Sequence, residues 1–154
     1  MPNVISLDGR IPAMTDDQIY KVKRLSDRLK EERQIDLYTY HTLHGGMYAR
    51  TIHLDAGSVI AGALIKVPTT LIINGDCTVY IGDDAVRIAG YEVIACSANR
   101  KQAFVIHAST MMTMMFRTDA RTVEEAESEF TDEADQLLSR SESAMNNIII
   151  GDFL

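Results

Sequence analysis

The chain has 154 residues, 46% of them apolar, and a formal net charge of −7. That length fits one domain with a sizeable core. An acidic chain without a basic patch is poorly suited to nucleic acid, where phosphate contacts dominate affinity. No apolar run approaches the roughly 20 residues that span a bilayer, and the N-terminus lacks the basic-then-apolar pattern of a secretory signal, so neither nucleic acid nor membrane is an expected partner.

In chain order, residues 1–14 read as an N-terminal arm and 15–34 as an amphipathic helix. Thr15-Asp16-Asp17-Gln18 is a capping box with acids in the first turn, where the helix dipole favours them. Ile19, Val22, Leu25 and Leu29 form one apolar stripe, with Lys21, Lys23, Arg24, Arg28, Lys30 and Arg33 mostly off it. Residues 35–118 read as β structure. Asn74-Gly75-Asp76 between 71–73 and 77–81 is a strong hairpin signal. Gly82-Asp83-Asp84 marks a second turn before 85–88, and Gly90 separates that segment from 91–95. Polar 97–101 precedes strands expected at 102–107 and 111–116. Short strands at spacings of roughly 8–12 residues point to a sandwich or barrel. Cys77 and Cys96 lie in or near strands, and one pair makes no disulfide framework, so both are expected as reduced, partly buried thiols.

Residues 119–140 read as an acidic helical segment. Thr122-Val123-Glu124-Glu125 is a capping box opening a helix expected to reach about Arg140, with a break signalled at Thr131-Asp132. From residue 122 onward nine acids face Arg140 alone. The bland reading is a solvated face; the sharper one is an acidic surface pairing with the basic face of the first helix, in the same or a neighbouring subunit. The tail, 141–154, runs from a polar linker (139–147) into Ile148, Ile149, Ile150, Phe153 and Leu154. Burial of such side chains is worth roughly 1.5–3 kcal/mol each, so the tail is expected to dock, on its own β structure or on another subunit.

The stretch from Tyr48 to Phe116 resembles the cupin superfamily, small jelly-roll barrels. Gly57 and Gly75 match the ends of that family's first motif, and Gly90 the start of its second. The positions of the four metal ligands hold Ala63, Ile65, Thr69 or Thr70, and Lys101, with Cys96 and Ala98 at the second motif's proline and glycine. No imidazole or carboxylate remains there for a divalent metal. Residues 44–51, 56–60, 75–79, Gly90-Tyr91 and His107-Ala108 are also similar to small cupin-like proteins of tailed bacteriophages and prophages. The resemblance implies a mainly β fold, a cupin-like jelly-roll barrel over 35–118 with an N-terminal and a C-terminal flanking helix. It also implies a phage setting, in the host cytoplasm or the virion.

The remaining candidates for chemistry are scattered. His41-x-x-His44 places its members on opposite strand faces, because three residues is an odd offset; ordinary hydrogen-bonded histidines are the simpler reading. His44-Gly45-Gly46 reads as a tight turn at the barrel entrance, followed by Tyr48 and Arg50 on one face, either as ligand-binding groups or as a structural pair. Lys101 either faces the lumen and holds an anion or is simply solvated. His44, Tyr48, Arg50, Lys101 and His107 are therefore the ligand-binding candidates, and Ile148, Ile149, Ile150, Phe153 and Leu154 the interaction candidates. Nucleophile elbows, phosphate loops and dinucleotide fingerprints are absent, and no catalytic residue, metal or cofactor is expected. The favoured reading is a non-catalytic, homo-oligomeric assembly module, a virion component with itself and other phage proteins as partners. The alternatives are a small-molecule-binding cupin that captures a polar or anionic ligand such as a nucleotide signal, and a metal-dependent cupin enzyme using unconventional histidines.

Overall fold

Three long strands, each bent near its middle, set the architecture of this mainly β chain. The computed structural model describes residues 3–4, 8–34, 37–81 and 83–153; Leu154, an expected docking residue, lies outside them, as do residues 1–2 and 5–7 of the expected arm. The long strands are β6 (Thr69–Ile81), β7 (Asp84–Cys96) and β8 (Ala103–Arg117). Around them lie β1 (Asn3–Val4), β2 (Arg10–Ile11), β3 (Tyr38–His44), β4 (Met47–Leu54), β5 (Val59–Ala61) and β9 (Met145–Ile150). The sheet runs β1-β7-β6-β8-β4-β3-β9, with β2 also on β7 and β5 also on β8. This path is open: among the described residues no ladder joins β1 to β9. The expected closed barrel is thus a strongly bent sheet wrapped on its own core, an arrangement consistent with a jelly roll.

The hairpin expected at Asn74-Gly75-Asp76 does not form. β6 passes straight through it, and Gly75 pairs with Gly90 of β7, where a second strand break was expected. A Cβ on Gly75 would stand 2.3 Å from Thr110 Oγ1 and 2.6 Å from Thr110 Cα. The glycine is required by close backbone approach, which in sequence looks the same as a turn. The β6–β8 register shifts between Asn74 and Cys77, a bulge that bends the sheet here. Gly90, Gly75 and Thr110 thus mark one fold line across three strands, and six expected short strands are three long ones. The tight turn at Gly45-Gly46 does form, with φ of 61° and 75° joining β3 to β4, the left-handed pair that a two-residue hairpin requires.

Alternation along these strands fills the interior. Ile73, Cys77, Val79, Val86, Ile88, Ile94 and Ile106 are buried in the main cluster, together with Ile11 of the N-terminal arm. Residues 1–14 are therefore not all peripheral, since β2 extends the sheet at β7. Both cysteines are free and buried, and burial pushes the Cys77 thiol up to about 11.

Helix α1 (Asp16–Leu29) starts with both bonds of the Thr15–Gln18 capping box but ends five residues short of the expected 34. Val22 is buried, with Ile19 and Leu25 half-buried against Met14 and Ala103. Helix α2 (Val123–Phe130) is capped by Thr122, but the Glu125 side chain takes the Arg121 N–H instead of closing a box. The helix stops at Thr131, which is extended (φ −150°, ψ 146°). Short 3-10 turns at Ala134–Gln136 and Leu138–Arg140 replace the expected continuation. Among the described residues no helix is long and apolar enough to cross a membrane.

Replacement of Gly75 by alanine is expected to destabilise the fold by about 2–4 kcal/mol, because the new methyl meets backbone that cannot yield. At Gly90 (φ 103°) a Cβ meets open space, so Gly90→Ala is expected to cost only backbone strain of about 1–2 kcal/mol. Urea unfolding of the two variants measures the difference, and equal losses would contradict the fold line.

Candidate functional site

Two features of the folded chain are candidates for function: a cavity and an outer sheet face. The cavity, about 200 Å³, is a cleft between the sheet and the C-terminal 3-10 turns, open to solvent where exposed Lys30 and Gln136 line its mouth. Its wall is mostly apolar, with Ile52, Ile60, Leu71, Phe104, Met112 and Met114, and its polar groups include Arg50, Arg100, Lys101, Gln102 and Glu133. Ala63 and Ile65, at two of the erased ligand positions, line it as well.

Only Arg50 and Lys101 of the five ligand-binding candidates reach this cavity. His44 sits exposed at a strand end, its Nδ1 accepting the Asp152 N–H. His107 is exposed and bonds Thr78. Tyr48 is fully buried in an aromatic cluster with Phe116 and Phe130 beneath α2. Among the described residues no three His, Cys, Asp or Glu side chains gather as a metal site. Lys101 is buried, not solvated, with its ammonium 3.2 Å from Glu133 Oε1. Burial pushes the Glu133 carboxyl up, but the Leu64 N–H and then Lys101 outweigh it and hold it below its usual value.

Arg50 belongs to a buried network that the sequence did not reveal. Its NH1 donates to Glu127 Oε2 (2.9 Å) and its NH2 to Ser139 Oγ (2.9 Å), while Ser139 Oγ donates to the same carboxylate oxygen. Arg140 Nε donates to Glu127 Oε1 at 2.9 Å. Within the acidic segment Glu127, Glu133 and Asp132 form their ion pairs with Arg50 and Arg140, Lys101, and Lys66. The end of the first helix's basic face reaches the segment at Gln136, which accepts from Lys30 Nζ at 3.3 Å. Asn146 extends the network into β9. Its Nδ2 donates to the Ser139 carbonyl, so its Oδ1 faces His41 Nε2 (2.7 Å) and accepts. That assigns the His41 proton to Nε2, leaving Nδ1 to accept the Tyr48 hydroxyl (2.7 Å). The supposed linker 139–147 is thus anchored at Ser139 and Asn146.

Arg100 differs from the other interior cations. It is 3% exposed, with NH1 donating to the Ser97 carbonyl and NH2 to Thr69 Oγ1, both at 2.6 Å. Among the described residues no carboxylate pairs with it. Burial lowers its pKa, and nearby Cys96 opposes that. Sequence reasoning stopped one residue away, at Lys101, because a polar Ser-Ala-Asn-Arg-Lys run carries no mark of burial.

The second feature is the outward face of β7-β6-β8-β4-β3-β9. Across it, Tyr91, Asn74, Met111, His53, Tyr38 and Met145 stand side by side. Two residues along lie Val93, Ile72, Thr113, Thr51, Tyr40 and Asn147, and then Ala95, Thr70, Met115, Ala49, Thr42 and Ile149. None of these positions carries a lysine, arginine, aspartate or glutamate, although such residues make up 24% of the chain. Strand spacing gives the face about 24 Å by 14 Å. Tyr91, Val93, Tyr40, Met111, Met145 and Ile149 are all exposed on it.

The expected burial of the tail does not occur within one chain. β9 is an ordered strand parallel to β3, yet Ile148, Ile149 and Ile150 remain 49%, 59% and 51% exposed. Strand pairing satisfies one edge of β9 and Asn146 is bonded to Ser139 and His41, while its three isoleucines stay about half exposed among the described residues. Phe153 is also exposed, with Arg121 stacked 4.8 Å above its ring.

Glu127→Gln is expected to cost about 3–5 kcal/mol in urea unfolding, since it leaves the buried Arg50 without its counter-charge. His41 adds a pH signature. Burial, only partly offset by the Asn146 bond, lowers its pKa below 6.5. The unfolded chain therefore binds the proton first, and the stability His41 contributes is full above 6.5 and falls as pH drops below it. The stability difference between the native chain and His41→Gln is expected to shrink from pH 7 to pH 5; a constant difference would contradict a lowered His41 pKa in the folded chain.

No family model and no curated protein matches the chain. Among solved structures it is similar to a cupin-2 domain from Rhodospirillum rubrum (12% identity, 50% of this chain and 54% of that one, TM-score 0.42). It is also similar to a cupin superfamily protein from Desulfitobacterium hafniense (12%, 56% and 82%, 0.45) and to a cupin-2 domain protein from Shewanella frigidimarina (6%, 60% and 91%, 0.44). These are likenesses of fold, and they cover little more than half of this chain.

Proposed function

We propose that the chain is a non-catalytic assembly module that works as a homo-oligomer, with the outward face of β7-β6-β8-β4-β3-β9 packed against the same face of a second copy. The observation that carries this reading is the absence of charge from the central three rows of that face, which Arg10, beside Ala95, and Arg117, two residues beyond Met115, border. Copies with a net charge of −7 repel one another, and an approach through charged groups would also require their desolvation. The uncharged face avoids both costs. Its projected area of roughly 330 Å² is on the scale of the largest patches that monomers expose. A face meeting its own copy is the isologous contact of two-fold dimers, and apolar centres of this kind are typical of homodimer interfaces. β9 lies at the rim with an unpaired outer edge among the described residues, which single chains normally protect.

The resemblance of residues 44–51, 56–60 and 75–79 to small cupin-like proteins of tailed bacteriophages and prophages extends the reading to a virion component. Mass spectrometry of purified particles tests that extension: copies in the particle support it, and confinement to the host cytoplasm removes it.

Light scattering on the purified chain tests the assembly itself. The expected mass is a multiple of 17.1 kDa, and Tyr40→Glu, which places a carboxylate mid-face, is expected to shift it to the single-chain value. Glu31→Lys, on exposed residues after α1, is expected to leave it unchanged. A 17.1 kDa species for the native chain at micromolar concentration would overturn the proposal.

A further inference from the structure

We propose that the cavity binds a small monocarboxylate with an apolar body, held at its charged end by Arg100 and Gln102. The three buried cations around the cavity are not equivalent. Arg50 is paired with Glu127 and Lys101 with Glu133, whereas Arg100 has five N–H donors and two neutral acceptors. A buried, unpaired charge is costly, and the cavity that Arg100 lines is where a counter-ion can be seated. Gln102 gives a second and independent sign. Gln102 lines the same cavity, is 5% exposed, and its buried Nε2 has no hydrogen-bond partner among the described residues. One uncommitted cation and one unpartnered amide donor are together suited to a carboxylate.

The rest of the wall sets the body of the ligand. Ile52, Ile60, Leu71, Phe104, Met112 and Met114 present apolar surface, which suits an apolar body. Arg50 and Lys101 are already paired with Glu127 and Glu133 and leave the second charge of a phosphate without an uncommitted buried counter-charge. A cavity of about 150 Å³ holds a benzene-sized molecule, so the 200 Å³ here suits a carboxylate of roughly six to eight carbons.

Titration calorimetry of the full chain with octanoate, 1-octanol and inorganic phosphate tests the proposal. Octanoate is expected to bind one per chain and to raise the melting temperature. 1-Octanol, with the same body and no charge, is expected to bind at least about tenfold more weakly. Phosphate is expected not to compete. Arg100→Met, which keeps side-chain length without the charge, is expected to abolish the preference for octanoate over octanol. If Arg100→Met does not fold, Gln102→Leu decides: weaker octanoate binding supports the site, and native-like binding overturns it. No octanoate binding, equal affinity for octanol, displacement by phosphate, or an Arg100→Met variant that binds octanoate like the native chain would each overturn it.

Discussion

The Glu127 carboxylate is the point on which the C-terminal third of the molecule depends. It is 2% exposed, carried on an eight-residue helix, and takes hydrogen bonds from Arg50 of β4, Arg140 and Ser139. α2 is too short to be stable alone. The network and the aromatic cluster of Tyr48, Phe116 and Phe130 fix it to the sheet. From the same network Ser139 and Asn146 hold the chain that leads into β9, and His41 and Tyr48 close the circuit on β3 and β4. Networks of this kind are strong when fully satisfied and costly when one member is removed. The position of β9, and with it one rim of the outer face, rests on its ladder to β3 together with the network around this buried charge.

The fold line at Gly75, Gly90 and Thr110 is the second constraint. It lets three strands continue from one half of the sheet into the other, with the β6–β7 ladder unbroken and the β6–β8 ladder interrupted by a bulge. In sequence those glycines, beside Asn and Asp, carry the chemistry of turns. The turn chemistry was right at Gly45-Gly46, where two consecutive positive φ angles are needed, and misleading at Gly75, where the requirement is the absence of a Cβ beside Thr110. Local composition does not distinguish these causes, because the second depends on a residue 35 positions away.

The same division runs through the candidate sites. Helix starts at Thr15 and Thr122, the opposite faces of His41 and His44, and the burial of both cysteines were legible from spacing. Long-range charge pairing was not. Glu127 looked like one acid among nine, and Arg100 like part of a solvated turn, since nothing within a few residues marks either as interior. The tail was legible as ordered and apolar but not as exposed, because apolar content gives the drive to bury and not the surface that will do it. Among the proposed ligand-binding residues, Arg50 and Lys101 came to the cavity because β4 and the residues before β8 line the same cleft.

Two surfaces therefore remain after the core is formed, an apolar cavity with one uncommitted cation and an outer face without charge in its central rows. The face carries the central claim. In a lone chain Met111, Met145 and Tyr40 are exposed on it, and so is Tyr20 of α1, which lies off it. Hydroxyl-radical footprinting at increasing protein concentration reads these side chains directly. The account predicts that Met111, Met145 and Tyr40 become protected as concentration rises while Tyr20 stays reactive; equal reactivity of all four at every concentration would contradict it.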